Sequence, residues 1–201
     1  MGRQVYIIGT DAVPQKIVLD RGDTLDMVLV VLPGVSTDVS VSVDLVGAGA
    51  SAEIYGLYLC TGDQQVRIRT EIRHESGGCT SRQLFKGLAG GSARASFDGL
   101  VYVRQDAQQT KAFQENHNIL LSDSARVETR PQLEIYADDV ECSHGATIGR
   151  LSEDELFYMR SRGIPEDEAR VLQMISFLSP VVGRIPDEDL RTKIYDQLSQ
   201  C

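Results

Sequence analysis

The sequence predicts a mainly β chain, a coil of parallel strands (a β-solenoid) over residues 1–150 followed by a small α-helical region over residues 151–201. Three observations lead there. Short segments with period-two alternation of apolar and polar residues follow one another from about Val5 to Ile148, and no helix-period stretch of useful length interrupts them. A gapless internal repeat relates Ala50-Ser-Ala-Glu-Ile-Tyr-Gly-Leu57 to Ala93-Arg-Ala-Ser-Phe-Asp-Gly-Leu100, 43 residues further on. After Gly149 the texture changes to capped, amphipathic stretches.

The strand segments read in order as Lys16–Leu19, Met27–Leu32, Val39–Val46, Ala52–Tyr55, Val66–Ile72 and Arg126–Thr129. Alternation buries one face of each and leaves the other wet. Met27–Leu32 is continuously apolar and reads as a buried strand, far too short to span a bilayer. Gln108–Asn118 is polar but is expected to continue the β path. In the repeat, Ala50, Ala52, Ile54 and Gly56-Leu57 match Ala93, Ala95, Phe97 and Gly99-Leu100, and each copy follows a glycine-rich approach. Small residues alternating with a bulky one suit the narrow interior of a coil. The offset is long for one turn of a solenoid and is read as two turns of about 21–22 residues. A β-sandwich with a chance match is the alternative, because its strands recur at similar spacing.

The tail divides into three helices. Ser152 with Glu155 makes a capping-box signature, and Glu153 and Asp154 complement the first turn. Leu156, Phe157, Tyr158 and Met159 give an apolar side, and Gly163 stands where a helix ends. Pro165 opens a second helix through Ala169, Leu172, Ile175 and Phe177, which Pro180 is expected to end. Pro186 and Asp187 open a third, with Leu190, Ile194 and Leu198 on one stripe. Such short helices do not bury their stripes alone. They must dock on the β body or on another protein.

A net charge of −9 and a pI near 4.8 repel phosphate backbones, so nucleic acid is not an expected partner. Arg67, Arg69 and Arg73 alternate along one segment and read as a solvated face. No signal-peptide core and no membrane span are visible, so no membrane partner is expected either. Four scattered cysteines, Cys60, Cys79, Cys142 and Cys201, indicate a reducing, cytoplasmic setting rather than a disulfide framework. The abrupt start in strand-like sequence leads to the expectation of a fragment of a longer protein.

The sharpest candidate site is Cys142-Ser-His144. Ligands at i and i+2 of a strand point the same way, and a thiolate with an imidazole suits iron or zinc. Two ligands are half of a tetrahedral site. The remainder would come from a partner, from carboxylates such as Glu141, or from the sulfides of a cluster. The plainer reading, which the residues alone favour, is a cysteine packed in the coil and a histidine bonding a turn carbonyl. His74, among Glu71, Arg73 and Glu75, reads as exposed. His117, between Asn116 and Asn118, reads as part of a turn or an asparagine ladder. Cys60 and Cys79 read as small core residues, and Cys201 as an exposed terminal residue. Asp138-Asp139 raises glycoside hydrolysis, but adjacent strand residues face opposite ways. A β-helix polysaccharide enzyme or binder is further disfavoured by the lack of Trp and only 6% aromatic residues. Gly87-x-x-Gly90-Gly91 lacks the lysine and the following helix of a phosphate loop.

Several segments in fixed order resemble one family. They are Phe97–Val103, Ala107–Thr110, Gln114–Asn116, Asn118–Ser122, the long run Pro131–Gly149 and Leu156–Ile164. The chain resembles the SufB/SufD family of iron–sulfur cluster assembly proteins, strongly from about Gln83 to Arg184 and weakly before. Within it the chain looks like the SufD type, which carries Cys-x-His-Gly-Ala-Thr as Cys142–Thr147 do. The SufB type has an acidic Glu-His-Glu-Ala run at that place and a further cysteine one turn earlier, where Leu120–Arg126 has none. The resemblance implies a right-handed parallel β-helix core and a helical region. It implies a non-catalytic scaffold subunit paired with a SufB-like subunit, with the SufC ATPase docked on the C-terminal helices. It also implies a transient iron–sulfur cluster shared with the partner. It moves the weight at the candidate site towards His144, at the interface implicated in nascent cluster assembly, and leaves Cys142 open. The resemblance also implies an N-terminal helical domain, which is expected to be missing from this stretch, in line with the expectation of a fragment. A SufB-like or homodimeric scaffold is the nearest alternative, and a homodimer in isolation is left open.

Overall fold

The computed structural model describes residues 3–199. The chain runs β1 (Gln4–Ile7), β2 (Lys16–Leu19), β3 (Thr24–Val31), β4 (Thr37–Leu45), β5 (Ser51–Cys60), β6 (Gln65–His74), β7 (Thr80–Ala89) and β8 (Arg94–Val103). It continues through β9 (Thr110–Leu120), β10 (Arg126–Ile135) and β11 (Val140–Gly149) to α1 (Glu153–Ser161), α2 (Glu166–Val182) and α3 (Glu188–Leu198). Successive strands alternate between two walls. The odd strands form a six-stranded sheet in the order β1-β3-β5-β7-β9-β11, and the even strands form a five-stranded sheet, β10-β8-β6-β4-β2. The named strands pair in parallel throughout. The chain is thus a parallel β-solenoid of about five turns, one strand per wall in each turn.

The turn length corrects the sequence reading. Ser51 stands opposite Thr80, Thr80 opposite Lys111 and Thr110 opposite Val140, so a turn takes about 30 residues rather than 21–22. The repeat matches β5 with β8, which belong to opposite walls, so its 43 residues cover about one and a half turns. The two walls face the same narrow interior: Ala52 and Ile54 of β5 and Ala95 and Phe97 of β8 are all buried in it. A repeat can therefore relate one wall to the other.

The interior is filled by complementary sizes. Gly56 lies opposite Phe85, and a Cβ on it would meet the Phe85 ring at 2.2 Å. Gly87 lies opposite Tyr58 and would meet that ring at 2.0 Å. Each aromatic ring thus lies over the backbone of a glycine one turn away. Phe85 and Phe97, from the two walls, bring their ring centroids to 4.8 Å, a favourable tilted contact.

Outward-facing Val28, Val30, Leu57 and Leu59 on the six-stranded wall are fully buried, because α2 and α3 cover them with residues such as Ala169, Leu178, Val182 and Ile194. The helical stripes therefore dock on the β body. Ser152 caps α1 by accepting from the Glu155 N–H at 3.3 Å, and Gly163 takes the left-handed conformation (φ 88°) beyond its end. The Gln173 side chain bonds both the N–H and the C=O of Ser152 at 2.9 Å, tying α2 to the start of α1. Pro180 does not end α2, which runs on to Val182. Proline has no N–H for the Ser176 carbonyl, and the Ser179 hydroxyl donates to that carbonyl instead at 2.8 Å. Among the described residues no helix is long and apolar enough to cross a membrane.

Candidate functional site

Among the described residues β11 and β10 are the last strands of the two walls, so each has one edge without a neighbouring strand. Register decides where the β11 side chains point. Cys142 stands opposite Ala112 and His144 opposite Gln114, both fully buried in the interior. Cys142 and His144 therefore continue the inward row, side by side, as their i and i+2 spacing predicts. Here the interior is open: His144 is exposed, and so are Ile148 (44%) on β11 and Ile135 (38%) on β10. The last turn forms a mouth at the end of the coil.

Cys142 is half-buried and packs against the interior cluster. Burial pushes its thiol up, and a backbone hydrogen bond from Ala112 partly offsets this. A metal binding there would have to displace the thiol proton. Both donors suit iron, but they are two. Among the described residues no group of three or more His, Cys, Asp or Glu side chains is placed to hold a metal ion. Glu141 does not join them: it faces outward and pairs with Lys111 at 2.9 Å. Chemically the mouth is half of a site.

Polar groups without partners lie under this mouth. Among the described residues, both ends of the Gln114 carboxamide, directly beneath His144, and the buried Thr129 hydroxyl of β10 make no hydrogen bond to protein. Gln114 is not marked as a site residue by its type alone. Its signal was a run of polar residues, Gln114, Asn116 and Asn118, at inward positions of an otherwise regular strand. Some interior polar residues bond one another, whereas the Gln83 carboxamide, one turn further in than Gln114, is likewise without a partner among the described residues. The Tyr58 hydroxyl bonds Asn118 and accepts from Asn116 at 3.2 Å, and Asn118 donates to Asn116 at 2.7 Å. Burial pushes the Tyr58 hydroxyl pKa up.

The other candidates fall elsewhere. His74 is not exposed but fully buried in the interior, with Nε2 2.8 Å from the Ser81 hydroxyl. Its charged neighbours Glu71, Arg73 and Glu75 lie on the other face and pair with one another. Desolvation lowers the His74 pKa to about 4. His117 lies in mid-strand on the outer face, between Thr147 (2.9 Å) and Glu115 (3.1 Å), while the asparagine pair beside it points inward. Asp138 and Asp139 sit in the bend between β10 and β11 rather than on a strand. The Asp139 N–H donates to the Gln108 side chain at 2.8 Å. Cys60 and Cys79 are buried; Cys201 lies outside the described residues.

A second feature lies on the helices. Phe157 (73%), Tyr158 (59%) and Leu172 (45%) are exposed. Tyr158, Met159, Leu172 and Phe177 line a cleft of about 640 Å³ between α1 and α2.

Residues 9–177 match the family model "SUF system FeS cluster assembly, SufBD core domain". The chain is 38% identical over 159 residues to "Iron-sulfur cluster assembly protein SufD" of Escherichia coli K12, an alignment covering 79% of this chain and 38% of that protein. It is 32% identical over 151 residues to "Iron-sulfur cluster assembly protein SufD" of Bacillus subtilis, covering 75% of this chain and 35% of that protein. The chain thus spans well under half the length of these curated relatives.

Proposed function

Because this chain belongs to the SufB/SufD family of iron–sulfur cluster assembly proteins and is of the SufD type, we propose that it is a non-catalytic scaffold subunit that helps build a nascent cluster at the border with a SufB-like partner. The observation that carries this reading is the open last turn, where Cys142 and His144 share one inward row beside two unpaired strand edges. Free strand edges accept a partner by strand addition. A partner seated there would face the mouth and could supply the ligands that Cys142 and His144 lack. The cluster is cargo in this reading. His144 and Cys142 hold iron transiently, and the partner and the cluster's own sulfides complete the coordination.

The test is anaerobic co-expression of the chain with SufB-like and SufC-like subunits, followed by size-exclusion chromatography and assay of iron and acid-labile sulfide. His144→Ala removes an exposed ring and is expected to lower cluster yield while leaving the fold and the complex intact. Normal yield from that variant would sink the assignment. A stable homodimer carrying its own cluster would favour the SufB-like or homodimeric scaffold. In that case the same edges would meet across a two-fold axis.

The helices are the proposed seat of a SufC-type ATPase. The support is the exposed Phe157, Tyr158 and Leu172 beside the α1–α2 cleft. Removing the tail is a poor test, since α2 and α3 cover buried Val28 and Leu57. Phe157→Asp changes only the exposed surface and is expected to abolish co-purification with the ATPase. Unchanged co-purification would refute the docking assignment.

A further inference from the structure

The outer face of the five-stranded wall carries a cleft of about 500 Å³ that the cluster-assembly reading does not use. Three rows cross it in register, each with one residue from β6, β8 and β10. They are Gln65–Arg94–Arg126, Arg67–Ser96–Glu128 and Arg69–Asp98–Arg130. Adjacent strands are about 4.8 Å apart, so each row extends roughly 10 Å. With Asp38 of β4, the cleft holds five guanidinium groups and three carboxylates, a local surplus of positive charge on a chain of net charge −9.

The charges are not evenly matched. Asp38 is held by Arg69 at 2.7 and 3.1 Å and by Arg67 at 3.3 Å. Arg130 pairs with Glu128 at 2.8 Å and lies 3.8 Å from Asp98. The first row differs. Arg94 and Arg126 stand directly opposite each other on neighbouring strands. Arg126 donates to the carbonyl oxygens of Asp123 and Ala125, at 2.6 and 2.8 Å. Among the described residues neither Arg94 nor Arg126 forms an ion pair with a carboxylate. Like charges directly opposite each other in a sheet destabilise it, and an anion lying across both relieves the repulsion. Guanidinium forks fit carboxylates in two-point contacts. The interleaved Asp38, Asp98 and Glu128 would repel a bare polyphosphate chain. They suit a polypeptide whose acidic side chains alternate with neutral or basic ones.

We propose that this cleft is a docking groove for an acidic polypeptide segment of a partner protein, with Arg94 and Arg126 as its anchors. The site lies on a different wall from the proposed ATPase seat and does not depend on the cluster-assembly reading. The probe is a fluorescein-labelled glutamate-rich peptide, titrated with the full chain by fluorescence anisotropy at low and at near-physiological ionic strength. Saturable binding that weakens with salt is expected. The double variant Arg94→Gln/Arg126→Gln is expected to bind roughly tenfold more weakly, as loss of two surface charge contacts implies. Its melting temperature should change little, since relief of the repulsion offsets the loss of the two Arg126–carbonyl hydrogen bonds. Ser96→Glu, which adds a carboxylate to the middle row, should weaken binding independently. Arg73→Gln removes one positive charge from the same wall outside the cleft, where Arg73 pairs with Glu71 and Glu75, and should leave binding unchanged. Absence of saturable binding, or an equal loss from Arg73→Gln, would overturn the proposal. Displacement of the peptide by inorganic polyphosphate at lower charge concentration would overturn it in favour of a phosphate ligand.

Discussion

Lowering the pH should unfold this solenoid from within, through His74. The ring is fully buried between the walls, and its hydrogen-bond partner, the Ser81 hydroxyl, carries no charge. Desolvation lowers its pKa from 6.5 to about 4. The unfolded chain therefore binds a proton between these two values that the folded chain refuses, and stability falls as pH falls. The contribution is essentially complete above pH 6.5, declines through the window between the two pKa values, and loses nothing more below about 4. A separation of about 2.5 units corresponds to at most about 3 kcal/mol, of which about 2 kcal/mol is lost between pH 7 and pH 5. The assay is equilibrium urea unfolding at pH 7 and at pH 5, on the wild type and on His74→Gln, which keeps a hydrogen-bonding end for Ser81 but does not titrate. The difference between the two pH values should be about 2 kcal/mol smaller in the variant. Equal pH dependence in both proteins would refute the reasoning, because the ring would then titrate alike in the folded and unfolded chains.

Three further perturbations test other parts of the structure. Gly56→Ala places a Cβ 2.2 Å from the Phe85 ring and should cost about 1–3 kcal/mol by overpacking. Thermal melts should show the smaller Phe85→Leu partly rescuing it in the double variant. Asp187→Ala removes the N-cap that accepts from the Asp189 and Leu190 N–H groups, and should cost about 1 kcal/mol, a fall of about 2–4 °C in Tm by circular dichroism. Pro180→Ala restores an N–H in the last turn of α2 and should leave Tm unchanged or raised. A clear fall would show that the Ser179 hydroxyl is not an adequate substitute for the missing donor.

What was legible in the sequence depended on period. Strand alternation and helix caps are local, so β6 (Gln65–His74) and the start of α1 could be read directly from spacing and capping residues. Turn length is not local. The repeat between β5 and β8 joins opposite walls, and sequence alone does not distinguish one and a half turns from two. The charge of Glu71, Arg73 and Glu75 suggests an exposed His74, although alternation puts these residues on the other face from the buried ring. Pro180 suggests a helix end because it lacks an N–H, whereas the Ser179 hydroxyl before it bonds the Ser176 carbonyl and the helix runs on. At the candidate site, the pairing of Cys142 with His144 follows from their spacing. Their place at an open mouth, with the unpaired Gln114 carboxamide beneath His144, depends on which strand ends each sheet.

The helical tail has a consequence for the order in which the chain acquires structure. In a solenoid each turn mainly touches its neighbours, so folding can spread from one turn to the next as the chain emerges from the ribosome. Here the helical region packs back on early turns of the coil: Arg3 donates to the Arg184 carbonyl at 2.8 Å, and Arg184 pairs with Glu53 at 2.9 Å. Until α2 and α3 arrive, apolar Val28, Val30 and Leu57 stand uncovered on turns that precede the helices, and this exposed apolar face is where a partly folded chain would aggregate. The helices thus cover early turns of the coil, while β10 and β11 at the mouth each keep one edge without a neighbouring strand among the described residues.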